Sequence, residues 1–284
     1  MNTPNAMKHD AGPKRHRKLS LVVVLGAIGL IAAACQFDPA AFAGYPTLSH
    51  CNGVPATIGV GWIAEDGVGA TYSGTEGRDV VVITSGPVTF NGLGGNDLIC
   101  VNDTGMNWGQ GNVVVTGGPG NDTVHNFSTT GLVAAVLGEG NDTYNGGPGP
   151  DVVIGQAGND TITTGDGDDS VLGGDGNDTI TTGDGDDSLD AGPGNDTITT
   201  GDGDDSLFGN DGEDIISSGA GNDEVHTGID ADVVDAGPGD DMVFGNDHVD
   251  EVVDCGEGDE VTGDTLTDWG QGSAVTNCEI LVPS

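Results

Sequence analysis

Fourteen aspartates stand nine residues apart without a gap: Asp142, Asp151, Asp160, Asp169, Asp178, Asp187, Asp196, Asp205, Asp214, Asp223, Asp232, Asp241, Asp250 and Asp259. An ionised carboxylate offers only oxygen acceptors, so a regular row of them is a row of ligands for hard cations. Two positions after each aspartate stands an apolar residue, in a series that runs from Tyr144, Val153 and Ile162 to Val243, Val252 and Val261. A period fixed in both charge and apolar character predicts a stacked solenoid. Each repeat then supplies one buried side chain and one cation ligand.

The elements that position these carboxylates follow from the repeat itself. Each nonapeptide reads Gly-Gly-x-Gly-(Asn/Asp)-Asp-x-apolar-x. The glycines permit tight backbone curvature, so the first six residues make a turn. The last three make a short strand whose apolar residue points inward. Alternate nonapeptides differ: Thr161–Ser170 returns at Thr179–Ser188 and Thr197–Ser206, and the intervening copies end in Asn-Asp. The structural unit is therefore a flattened coil of 18 residues with two strands and two turns, and the fold class is all-β. Asp160 and Asp178 fall on one edge of the stack, Asp169 and Asp187 on the other. Stacked strands lie about 4.7–4.9 Å apart, and a calcium–oxygen bond is about 2.3–2.6 Å. An ion between two stacked turns can reach oxygens on both. Stacked carboxylates repel one another without it, so folding is expected to be coupled to cation binding.

Upstream, Gly92–Ile99 and Gly117–Val124 carry the same motif, with Asp97 and Asp122 at its sixth position, and Ser73–Val81 is a degenerate copy. Their spacing is off-register, which predicts longer strands or bulged coils across Val101–Thr116 and His125–Val136. Gly173-Gly174-Asp175-Gly176-Asn177-Asp178-Thr179-Ile180-Thr181 matches in full a known pattern. It resembles the hemolysin-type calcium-binding repeat, the RTX nonapeptide, over about residues 92–261 and strictly over 137–261. The resemblance implies a parallel β-roll, a β-solenoid with calcium-binding turns on both edges and multiple calcium ions. It also implies that the sixth-position aspartates from Asp142 to Asp241, with Asp97 and Asp122, are the side-chain ligands. Departures stand at Asp230, His248 and Glu257, where the fourth-position glycine is lost, and at Pro150. An EF-hand loop is excluded: counted from Asp166, its glycine and glutamate positions hold Val171 and Asn177.

Composition narrows the partners. The chain has 53 glycines among 284 residues and a formal charge of −40. Five basic residues lie in the first 18 positions, and from Gly44 onward only Arg78 is basic. Such a surface repels nucleic acid and anionic lipid and attracts cations. Residues 1–43 read as an export signal, with an apolar run over Leu19–Ala34 and a small-x-small site at Ala41-Phe42-Ala43. Processing at Cys35, giving a lipoprotein, is the alternative. Four further cysteines remain, an even set that in an exported chain implies disulfides. Three pairings exist, and the most local joins Cys51 to Cys100 and Cys255 to Cys278.

The resulting organisation is a signal over 1–43, a cap with degenerate repeats over 44–136, the regular roll over 137–261 and a closing cap over 262–284. The scattered histidines and the lack of a Gly-x-Ser-x-Gly motif argue against an enzyme. The chain is expected to be a secreted calcium-binding scaffold or adhesion protein with a cell-surface or matrix partner and no membrane insertion after cleavage. Two alternatives stand beside it. One is an ice- or surface-binding solenoid, read from the Thr-x-Thr ladder of Thr161/Thr163, Thr179/Thr181 and Thr197/Thr199. The other is the export module of a larger toxin-like assembly.

Overall fold

The fold is taken from a computed structural model of the chain. It describes residues 50–51, 54–55, 58–60, 70–83, 88–101, 112–129, 132–245, 252–254, 265–267, 274–276 and 279–280. The expected signal over 1–43, Cys35, Asp250, Asp259 and the Cys255–Cys278 pairing lie outside the described residues.

Two parallel sheets of 12 strands each wind around a common core. The first runs from Ala70–Ser73 to Glu279–Ile280, the second from Ile58–Val60 to Ala274–Thr276. The chain alternates between them, so each coil adds one strand to each sheet. Register is set by the 18-residue repeat: Thr161 pairs with Thr179 and Thr179 with Thr197. In the first sheet Val171 pairs with Leu189 and Leu189 with Leu207. The expected parallel β-roll of 18-residue coils is the fold observed. Strands Thr265–Thr267, Ala274–Thr276 and Glu279–Ile280 extend the same two sheets beyond residue 261.

Strand formation follows from the three-residue alternation. Thr161–Thr163 shows exposed, buried, exposed, with Ile162 inward. The inward position is 0–1 % exposed from Tyr144 through Val243, so the core is one apolar column from each sheet, in contact along the axis. On the outside of the first sheet Phe208, His226 and Phe244 stack face to face with ring centroids 4.6 Å apart.

The turns need glycine for two separate reasons. The second and fourth positions hold positive φ, as at Gly174 (114°) and Gly176 (136°). Gln156 and Asp230 keep positive φ without glycine, at 85° and 82°, so loss of the fourth-position glycine at Asp230 does not change the turn. At Gly173 the first position is crowded, since a Cβ there would lie 2.6 Å from Asp178 Oδ2, although other turns place Ala191 or Thr164 at the same position.

The upper coils differ from the repeats below. Leu98 pairs with Thr123, 25 residues on, and Thr123 with Thr143, 20 residues on. The extra residues fall between Val101 and Val113 and between Asn126 and Val133, always on the same edge. The longer strands expected here are Val113–Pro119 and Val133–Glu139. Val80–Ile83 and Leu98–Val101 are buried on both faces. Their outer residues Val80, Val82, Leu98 and Cys100 cluster with Cys51, and Cys51 is bonded to Cys100 with Cα atoms 5.6 Å apart. The pairing chosen on locality is thus present in the fold.

Candidate metal centre: two buried carboxylate columns

The sixth-position aspartates form two columns, one on each edge of the roll. Turns ending mostly in Asn-Asp place Asp142, Asp160, Asp178, Asp196, Asp214 and Asp232 in one. Turns ending mostly in Asp-Asp place Asp151, Asp169, Asp187, Asp205, Asp223 and Asp241 in the other. Every one of these residues is 0–2 % exposed.

A single hydrogen bond repeats along both columns. Each aspartate's backbone N–H donates to Oδ1 of the aspartate one coil below. On the Asn-Asp edge this links Asp142 to Asp160, Asp178, Asp196, Asp214 and Asp232 at 2.7–2.9 Å. On the Asp-Asp edge it links Asp151 to Asp169, Asp187, Asp205, Asp223 and Asp241 over the same range. The off-register residues join the first column: Asp97 donates to Asp122 and Asp122 to Asp142, both at 2.7 Å. The uneven spacing of these two is absorbed entirely by the opposite edge.

The second carboxylate oxygen is left over. Oδ2 is buried without a hydrogen-bond partner at Asp97, Asp122, Asp142, Asp160, Asp178, Asp196 and Asp214, and at Asp151, Asp169, Asp187, Asp205 and Asp223. Burying a charged oxygen without a partner is costly, and no lysine or arginine follows Arg78 to neutralise it. Burial accordingly pushes the carboxyls up. Asp178, Asp196, Asp187 and Asp223 rise to about 6 and Asp97, Asp142, Asp151 and Asp214 to about 7, with backbone hydrogen bonds opposing at most of them. Asp122, Asp160, Asp169 and Asp205 shift the same way for the same first reason.

Carbonyl oxygens line the gaps between turns. The Gly158 carbonyl occupies the space a Cβ at Gly176 would need, and the Gly176 carbonyl the space of one at Gly194. Unpartnered carboxylate oxygens set among stacked carbonyls form an all-oxygen donor set. That chemistry fits a hard divalent cation such as calcium, and it offers no nitrogen or sulfur to a softer metal.

Several participants were not apparent from the sequence. Asp79 heads the Asn-Asp column, its N–H donating to Asp97 Oδ1 at 2.8 Å. Its own Oδ2 is satisfied by Thr75, through the backbone N–H at 2.6 Å and the hydroxyl at 3.2 Å. The degenerate motif Ser73–Val81 carried that signal. Asparagines stack outside the same edge: the N–H of Asn159 donates to Asn141 Oδ1 at 3.1 Å, and that of Asn177 to Asn159 Oδ1 at 3.0 Å. That ladder runs opposite in sense to the aspartate ladder. Inside the Asp-Asp edge, Thr164, Thr182, Thr200 and Ser218 stack at the first turn position, buried. There Ser218 Oγ donates to the Ala236 carbonyl at 2.8 Å.

A parallel β-solenoid with a buried carboxylate column along each edge is a β-roll. The RTX calcium-binding nonapeptide repeat model matches residues 73–103, 109–126, 137–171, 163–198, 190–225 and 226–253. The chain belongs to that family, and it is a calcium-binding repeat protein. No curated protein and no solved structure matches it.

Proposed function

We propose that the chain is an exported, non-enzymatic scaffold whose roll is completed by several calcium ions. The side-chain ligands are Asp142, Asp160, Asp178, Asp196, Asp214 and Asp232 on one edge and Asp151, Asp169, Asp187, Asp205, Asp223 and Asp241 on the other. Asp97 and Asp122 extend the first set. The observation that carries this reading is the repeated buried Oδ2 without a partner. A cation between coils neutralises these oxygens and ties adjacent turns together, so binding energy becomes folding energy. Export supports the reading, because calcium is plentiful outside the cell and the basic-then-apolar start of the chain has the pattern of a secretory signal. An acidic, repetitive surface that offers long faces supports a cell-surface or matrix role.

Circular dichroism during a calcium titration of the chelated chain tests this. β-Structure should rise cooperatively with calcium and fall again on chelation. Magnesium at equal concentration should restore far less, because it gives up its water reluctantly and demands a tighter octahedron. Full β-structure in chelator would defeat the coupled-folding reading.

A further inference from the structure

The two columns do not begin at the same height. The Asn-Asp column runs upward through Asp142, Asp122 and Asp97 to Asp79. Among the described residues the Asp-Asp column has no aspartate above Asp151. Its upper neighbour is Asn126, 25 residues earlier, whose side-chain Nδ2 donates to Asp151 Oδ1 at 2.9 Å. Everywhere below, that oxygen receives a backbone N–H from another aspartate of the column. Here a side-chain amide has taken its place.

The orientation of that amide is fixed. Asn126 Oδ1 accepts the Ser128 N–H at 2.8 Å, so a flipped amide would set oxygen against carboxylate and NH2 against N–H. Asn126 is 2 % exposed, and no solvent can make up for such a flip. Tyr144, fully buried, sets its hydroxyl beside Asp151 and Asn126. An amide NH2 donates and cannot ligate a cation. The head of this column is therefore closed by an amide donor, with the Tyr144 hydroxyl beside it.

We propose that Asn126, backed by Tyr144, is the terminator of the Asp-Asp calcium row. The first ion on that edge lies between Asp151 and Asp169, and none lies above Asp151. The upper coils carry ions on the Asn-Asp edge alone. This inference rests on the calcium-binding reading above and adds where one row must end.

The test is made on the full chain refolded in calcium. Native mass spectrometry counts ions in the parent and in Asn126→Asp. In the variant the Ser128 N–H holds one carboxylate oxygen, which leaves the other against Asp151 Oδ1, a contact that a bridging cation relieves in saturating calcium at about pH 7.5. One additional calcium is the expected result, and an unchanged count in a folded variant overturns the proposal. Should Asn126→Asp fail to fold, anomalous diffraction from calcium in crystals of the parent decides. Density between Asp151 and Asp169 with none beside Asn126 supports it. An ion beside Asn126, with both rows otherwise filled, overturns this proposal alone. A parent that binds no calcium overturns the proposed function together with it.

Discussion

Along the columns, as at Asp142, Asp160, Asp178, Asp196 and Asp214, an aspartate accepts a backbone N–H at one oxygen and keeps the other buried without a hydrogen-bond partner, and this division sets the response to pH. Unfolded, these carboxyls titrate near 3.8; in the ion-free fold Asp178 and Asp196 are held at about 6 and Asp142 and Asp214 at about 7. Between those values the folded chain holds protons that the unfolded chain has released. Stability of the ion-free fold is thus complete below about pH 4 and is lost as pH rises through 6 to 7. A proton stands in for the cation. In chelator, the β-signal in circular dichroism should be larger at about pH 5 than at about pH 7.5. With saturating calcium the advantage of acid should disappear, because acid then competes with the ion. A chelated chain that is more ordered at the higher pH would contradict the role given to burial.

Among the elements, the turn is where the chain has least freedom. Gly176 holds φ at 136°, and its α-carbon faces the Gly158 carbonyl of the coil above. Gly176→Ala should cost about 2–6 kcal/mol, combining a disfavoured backbone region with overpacking. Gly77, an exposed turn glycine, faces open space, with only Thr75 Oγ1 at 4.0 Å. Gly77→Ala should change stability by less than about 0.5 kcal/mol. Denaturant unfolding in saturating calcium compares the two, and equal losses would count against the crowding argument. The regular coil was legible in the sequence because its 18-residue period fixes strand, turn and edge together. The upper coils were not. A motif at Asp97 and another at Asp122 do not say on which edge the extra seven residues lie, since either turn could absorb them. Asn126 was invisible for a related reason: its partner Asp151 is 25 residues away and belongs to no shared motif. Asp79 was partly visible, but its motif lacks the paired glycines that made the others plain.

At the scale of the molecule, the roll has two differently built parts. Below Asp142 the core is one apolar residue per strand and both edges carry carboxylates. Above it, Val80–Ile83 and Leu98–Val101 are buried on both faces, only one edge carries stacked carboxylates among the described residues, and Cys51–Cys100 closes a loop across a sequence separation of 49. The crosslink should contribute about 4 kcal/mol on the chain-entropy account. In calcium, Cys100→Ser should lower the unfolding free energy by about that amount. In chelator, limited proteolysis should cut first below Asp142 and spare the disulfide-bonded part. Cutting that starts instead between Val80 and Val101 would show that the upper coils depend on calcium as much as the lower.

The parallel pairing of every coil with only its neighbours also makes the molecule a spring. A pull along the axis opens the stack one 18-residue coil at a time, and each opened coil releases a length of chain many times the strand spacing it gave up. On the proposed arrangement of ions, that opening would break two clamps per coil in the lower part and one in the upper. External calcium would then set how stiff the rod is, and the lower section would extend last while ions are present and first when they are withdrawn.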